Sequence, residues 1–239
     1  MMDIETTEEM LFIKSANSLK TRIIALVFGL VLNSLGNALT IVSGCGSGIW
    51  TAASVNIHQL IGIDVGIMIF IFGIINALTN QILIRHIDVL RFIEEIIFIS
   101  FFSSFIQIFT DFFESLGWNN LSLFFRIPMA LIGVCFFCTA ISLYQRANIF
   151  MHPNDDTTNI LRFDYLKGNA VKSQLLDFTP PIVIILICSI FLHQIYSVGI
   201  GTIFSIIFNG ILIQNADKFV FPSLKHNPNI NDQIQNKKE

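Results

Sequence analysis

The chain has 239 residues, of which 53% are hydrophobic, 13% charged and 24 are phenylalanine, with a mean hydropathy of +0.68. That leaves too little polar surface for an ordinary soluble domain. A formal charge of -3 and an isoelectric point near 5.9 argue against nucleic acid as a partner. The apolar residues fall in blocks of about 20, the length that spans roughly 30 Å of hydrocarbon, so the composition predicts a polytopic helical membrane protein.

In chain order the predicted spans are 22–43, 63–84, 89–112, 122–145, 179–196 and 198–216. An acidic N-terminal segment, 1–21, precedes them and a polar tail, 217–239, follows. Between the first two spans lies GCGSGIWTAASVNIHQLIG, residues 44–62, which carries no Asp, Glu, Lys or Arg. Gly44, Gly46 and Gly48 should stop the first helix, after which Trp50 to Leu60 can form a short one. Val42-Ser43-Gly44-Cys45 resembles a lipoprotein cleavage box, but the segment before it is acidic and more membrane follows it, so lipidation is not expected.

In span one, Asn33 and Asn37 are a helical turn apart, and in span two Asn76 and Asn80 repeat the spacing. Such stripes should face the bundle or water, since lipid offers them no hydrogen bond. Arg91 precedes Glu94 and Glu95 by three and four positions, which predicts an ion pair within span three. Trp118 reads as an interfacial anchor, with Arg126 snorkelling beside it. Cys135 and Cys138 form a C-x-x-C inside span four, where small buried thiols are the expected reading. In the connection 148–168, Pro153 with Asn154 and Asp155 should start a second short helix. The start of a short helix inside a cavity would suit an anionic or strongly dipolar ligand.

Thirteen of the fourteen Lys and Arg residues fall on one side of this topology, Arg126 being the exception, and the positive-inside rule makes that side, with both termini, cytoplasmic. Arg22 to Gly29 reads RIIALVFG and Arg126 to Gly133 reads RIPMALIG, in register at a spacing of 104. The expected fold is therefore all-α: six transmembrane helices as two inverted three-helix repeats, 22–113 and 121–216, each with a broken or re-entrant connection. Inverted repeats are typical of secondary transporters, whose site lies at the midplane between them. The candidate substrate-binding residues are Gly46, Gly48, Trp50, Thr51, Asn33, Asn37, Asn76, Asn80, Pro153, Asp155, Asp156 and Thr157.

The run Gly46-Ser-Gly-Ile-Trp-Thr-Ala-Ala-Ser-Val-Asn56 and the run His152-Pro-Asn-Asp-Asp-Thr157 resemble the YczE-like family of bacterial membrane proteins, related to the YitT type. The resemblance covers about 22–216. It implies tandem half-repeats with a motif close to G-x-G-x-x-P-W-[DT] in the first half and G-x-x-P-x-D in the second. Ile49 stands here in place of the usual proline. Some members are loosely labelled permeases, so the resemblance implies a multi-pass protein of the bacterial plasma membrane. No enzyme motif, cofactor site or metal-ligand cluster is evident. The expected partners are the lipid bilayer and a small-molecule substrate, with a homo-oligomer or membrane partner left open. The alternative reading is a non-transporting accessory or scaffold protein, or the capture subunit of a multi-component transporter.

Overall fold

The computed structural model describes residues 17–226 except Gly168. Most of the predicted N-terminal segment and the outer part of the polar tail lie outside the described residues. The described residues form α1 (Leu19–Ser43), α2 (Ile49–Ile61), α3 (Val65–Leu83), α4 (Val89–Ser115), α5 (Leu123–Ala147), α6 (Pro153–Ile160), α7 (Ala170–Leu192) and α8 (Ile200–Phe219). A single 3-10 turn, Trp118–Asn120, joins α4 to α5, and one π-helical turn, Leu161–Tyr165, extends α6.

Six of these helices, α1, α3, α4, α5, α7 and α8, are long and apolar enough to cross a membrane. Their side chains are distributed inside out relative to a soluble bundle. On α3 the buried face carries Ile69, Phe72, Asn76 and Asn80, while Ile67, Ile71, Ile75, Leu78 and Ile82 point outward. Interior asparagines with an aliphatic exterior are what a lipid solvent selects: apolar groups cost nothing against acyl chains, and polar groups must find partners inside.

The bundle is built around α1 and α5, which run antiparallel and make the most extensive contact in the molecule. Glycine permits it. A Cβ on Gly36 would lie 2.6 Å from the Gly133 carbonyl oxygen, and a Cβ on Gly133 would lie 2.6 Å from that of Gly36. Close backbone approach through small residues is how helices associate where no hydrophobic effect drives them together.

Each of these two helices also carries an arginine in its first turn that caps the end of the other. Arg22 donates from Nε to the Ala147 carbonyl and from Nη2 to that of Asn148, both at 2.7 Å. Arg126 donates from Nε to the Ser43 carbonyl at 2.5 Å. The orphan carbonyls of a helix end buried in the bundle thus gain a cation and a donor at once. Arg126, half-buried in the first turn of α5, thus does more than snorkel beside Trp118: it also caps α1. Both helices then stop on a residue with left-handed backbone, Gly44 at φ 59° and Asn148 at φ 48°.

Four of the helix boundaries recur at a fixed interval. α5 begins and ends 104 residues after α1, α6 begins 104 after α2, and α8 ends 104 after α4. Contacts follow the same correspondence: α1 packs on α4 as α5 packs on α8, and α3 packs on α6 as α7 packs on α2. One extensive contact has no counterpart. α3 and α4 pack closely along each other, whereas α7 and α8 do not.

The fifth span also differs from its predicted range. α7 begins at Ala170 rather than near 179, and Pro180 and Pro181 lie inside it. Prolines are good helix starters in water, but in a membrane helix the freed carbonyls can be satisfied locally. The carbonyls freed here are those of Leu176 and Asp177, and just before them the Thr179 hydroxyl donates to the Leu175 carbonyl at 2.9 Å.

Candidate functional site

The glycine knot after α1 has a structural task. Gly44 turns the chain, and Gly46, at φ 118°, lies against the start of α8, where a Cβ would come within 2.6 Å of the Thr202 amide nitrogen. The Ser47 amide donates to the Ser197 carbonyl at 2.9 Å and the Gly201 amide to the Cys45 carbonyl at 3.0 Å. This backbone seam fixes the segment 45–47, so that Gly48 and the first turn of α2 face a different direction, into the bundle. Gly46 therefore lies in the seam and away from the cavity described next.

A cavity of about 350 Å3 sits where the first turns of α2 and α6 approach each other. Asn33, Asn37, Gly48, Trp50, Thr51, Asn76 and Asp155 of the predicted residues line it. The Thr51 hydroxyl donates to Asn37 Oδ1 at 2.8 Å, and Asn37 Nδ2 in turn donates to Asn33 Oδ1 at 2.8 Å. These bonds tie the start of α2 to the middle of α1. From α7, Asp177 enters the same cavity. Its carboxylate accepts from the Trp50 indole at 3.2 Å and from Asn154 Nδ2 at 3.3 Å, and Asn76 Nδ2 donates to Asn154 Oδ1 at 3.3 Å. One chain of contacts thus joins α2, α7, α6 and α3.

Depth follows from helix rise. Asn37 lies six residues before the end of α1 and Asp177 seven after the start of α7; at 1.5 Å per residue these are about 9 and 10 Å from the respective ends. The cavity walls are mixed, with the aromatic surfaces of Phe72, Phe102 and Phe178 beside the amides. A concave site with aromatic surfaces and convergent polar groups is the kind that takes a small molecule, and this one is more polar than most.

Electrostatically the cavity is acidic. Asp155 and Asp177 face it against one guanidinium, Arg162. Asp155 and His152 lie in the connection outside the six long helices. Burial is the main influence that pushes Asp155 up to about 6, partly offset by the Tyr144 hydroxyl that donates to it and reinforced by neighbouring Asp156. Burial pulls His152 down to about 4, so it is neutral near pH 7. Its ring packs edge-on against Phe98 and Phe102, and its Nδ1 accepts from the Asn154 amide at 3.2 Å, capping α6.

The remaining predicted residues occupy a second cluster behind α6. Asn80 donates to the Pro153 carbonyl at 2.9 Å and to Glu95 Oε1 at 2.6 Å, and accepts from the Thr157 hydroxyl at 2.6 Å. Asp156 receives Arg91 in a bidentate pair at 2.5 and 2.6 Å. Arg91 still attracts Glu95 along its own helix, as expected, but its direct ion pair is this cross-helix contact, whose planar fork geometry a local i+4 pair rarely attains. Asn80, Pro153, Asp156 and Thr157 thus hold α6 in place and do not line the main cavity.

Asp177 and His152 line the cavity without having been expected there, and Asn154, expected in the start of α6, lines it as well. Asp177 was hidden by the late predicted start of α7, which left it in a loop. Asn154 stands 104 positions after Trp50, and that register was the available signal.

A bundle of six membrane-length helices with an acidic, amide-lined central cavity defines a polytopic membrane protein with a built interior site. The chain belongs to the family of unknown function DUF6198, whose model matches residues 20–218. No curated protein and no solved structure matches the chain.

Proposed function

We propose that this protein is a small-molecule transporter of the bacterial plasma membrane, with both termini cytoplasmic, built from two inverted halves with the substrate site between them. The observation that carries this reading is the unequal packing of the two helical hairpins. The main helix contacts and several helix ends recur at an interval of 104 residues, as do the mutual arginine caps, but α3 packs on α4 while α7 and α8 stand apart. The cavity reaches the side where they part, through Asp177 and Phe178 of α7 and Ser205 and Asn209 of α8. Two like halves in unlike arrangements are what alternating access requires: exchanging the arrangements moves the opening from one side of a fixed site to the other. The resemblance to the YczE-like family, with its loosely labelled permeases, agrees with this reading.

The acidic balance of the cavity favours a cationic or amine-bearing solute over the anion expected from helix starts alone. Asp177 would receive the ammonium group, and the Trp50 face would lie against it as a cation-π partner.

A thermal-shift screen of the purified protein against cationic, zwitterionic and anionic metabolites tests the proposal, since a ligand that binds only the folded state raises its melting temperature. Amine-bearing compounds should stabilise the protein, and the effect should vanish in Asp177→Asn and in Trp50→Ala. Stabilisation by anions alone would overturn the substrate class. The absence of any ligand would favour the accessory reading, which has one observation behind it: α7 and α8 each bury only 22% of their membrane-length window, leaving broad faces for a partner or a second copy.

A further inference from the structure

The cluster behind α6 poses a hydrogen-bonding problem that the transport reading does not use. Glu95 is 1% exposed. Its Oε1 accepts from Asn80, but its Oε2 has no donor and is buried. The Asp156 carboxylate lies within side-chain hydrogen-bond reach, and both carboxyl groups border one small void. Asp156 already accepts both arms of Arg91, so it is held as an anion. Two ionised carboxylates cannot satisfy each other, because each offers only acceptors. A proton on Glu95 Oε2 resolves the conflict: it donates to Asp156 while Oε1 continues to accept from Asn80.

We propose that Glu95 is a proton-binding site that latches α6 onto α3 and α4. With the proton in place, Asn80 of α3, Glu95 and Arg91 of α4 and Asp156 of α6 form one closed network. Asn80 extends it to the Pro153 carbonyl and Thr157. When the proton leaves, Glu95 and Asp156 become like charges in contact and the network opens at that point.

Room for a water stands beside the carboxyl. A void of about 20 Å3, room for one water, lies against Glu95 and is bordered by Arg91, Glu94, Asp156 and Met151. The titratable and charged groups around Glu95 are Arg91, Glu94 and Asp88 on its own helix and Asp156 on α6; α3 presents the neutral Asn80. Arg91 also feels Asp88, whose carboxylate caps α4 through the Arg91 amide.

The latch is one-sided. The positions 104 residues after Asn80, Arg91 and Glu95 are Ile184, Ile195 and Gly199, and the position 104 before Asp156 is Ala52. The equivalent positions therefore hold no titratable side chain, and this network has no counterpart there. Within the transport reading, on which this role rests, the latch makes the proton the coupling ion: its release frees the packed half to open.

The test needs no substrate, so it can fail independently of the transport reading. Infrared spectra of the full-length protein in lipid at neutral pH should show the carbonyl band of a protonated carboxylic acid. That band should be lost in Glu95→Gln and kept in Asp155→Asn and Asp177→Asn. In a Trp118→Phe background, Trp50 alone reports the cavity, through the Asp177 and Asn154 contacts to α6. Its emission should change as pH rises, and the change should be lost in Glu95→Gln, which keeps a donor toward Asp156 at every pH. A band or a pH response that survives Glu95→Gln would overturn the proposal. If Glu95→Gln does not fold, Asn80→Ala removes the donor to Oε1 and must shift the same band; an unshifted band is again a refutation.

Discussion

Asp155 faces the cavity, yet its carboxylate takes a hydrogen bond from the Tyr144 hydroxyl, which is 1% exposed. Because burial places its folded-state value, about 6, above the ordinary 3.8, the protonated form is favoured in the folded protein. The stability that Asp155 contributes is therefore fully present below about pH 4 and declines as pH rises toward 6. Melting temperatures measured across that interval should fall more steeply in the wild type than in Asp155→Asn. The variant retains an oxygen to accept from Tyr144 and has no charge to bury. Equal slopes would place Asp155 in contact with water.

At the scale of the element, the crossing of α1 and α5 sets the spacing of the bundle. A methyl on Gly36 would meet the Gly133 carbonyl at 2.6 Å and the Phe137 amide nitrogen at 2.8 Å. Both are backbone atoms, which cannot rotate aside, so the helices have to separate. Gly36→Ala should cost several kcal/mol, in the upper range for overpacked interiors, and should lower the melting temperature and the yield of folded protein. Gly62→Ala is the contrast, because nothing lies within 4 Å of its added Cβ and only its positive φ of 76° resists. Its loss should be near 1 kcal/mol.

The helices were legible in the sequence where apolar length alone defines them: α1, α3 and α5 end within three residues of the predicted spans. α7 was misread because Lys172, Gln174 and Asp177 look like a loop before a proline pair, and only the surrounding protein makes them helical. The amide stripes were legible as inward-facing. What the sequence could not convey was which polar groups meet, since Arg91 to Asp156 spans 65 positions and Trp50 to Asp177 spans 127. Local pairing rules see neither.

For the whole molecule, the unequal packing of α3 with α4 and of α7 with α8 predicts unequal access. With Cys45, Cys135, Cys138 and Cys188 replaced by Ala, single cysteines can report it. Asn209→Cys on α8 lines the cavity and should react with a small charged thiol reagent. Ser103→Cys on α4 is 4% exposed, and its backbone carbonyl lies beside Gly66 of α3; it should stay protected. Equal labelling would mean that α7 and α8 close together in the membrane.

The crossed arginine caps bear on how the chain is made. The Ser43 carbonyl waits for Arg126, 83 residues further along, and Arg22 waits for the Ala147 carbonyl, 125 residues away. During synthesis, α1 enters the bilayer with its closing carbonyls unsatisfied and a cation at its base, and both conditions last until α5 is threaded alongside it. The nascent first half is thus a dependent species, one that a quality-control protease could recognise. Completion of the fifth helix, rather than the exit of each hairpin from the ribosome, is the event that commits the polypeptide to its native form.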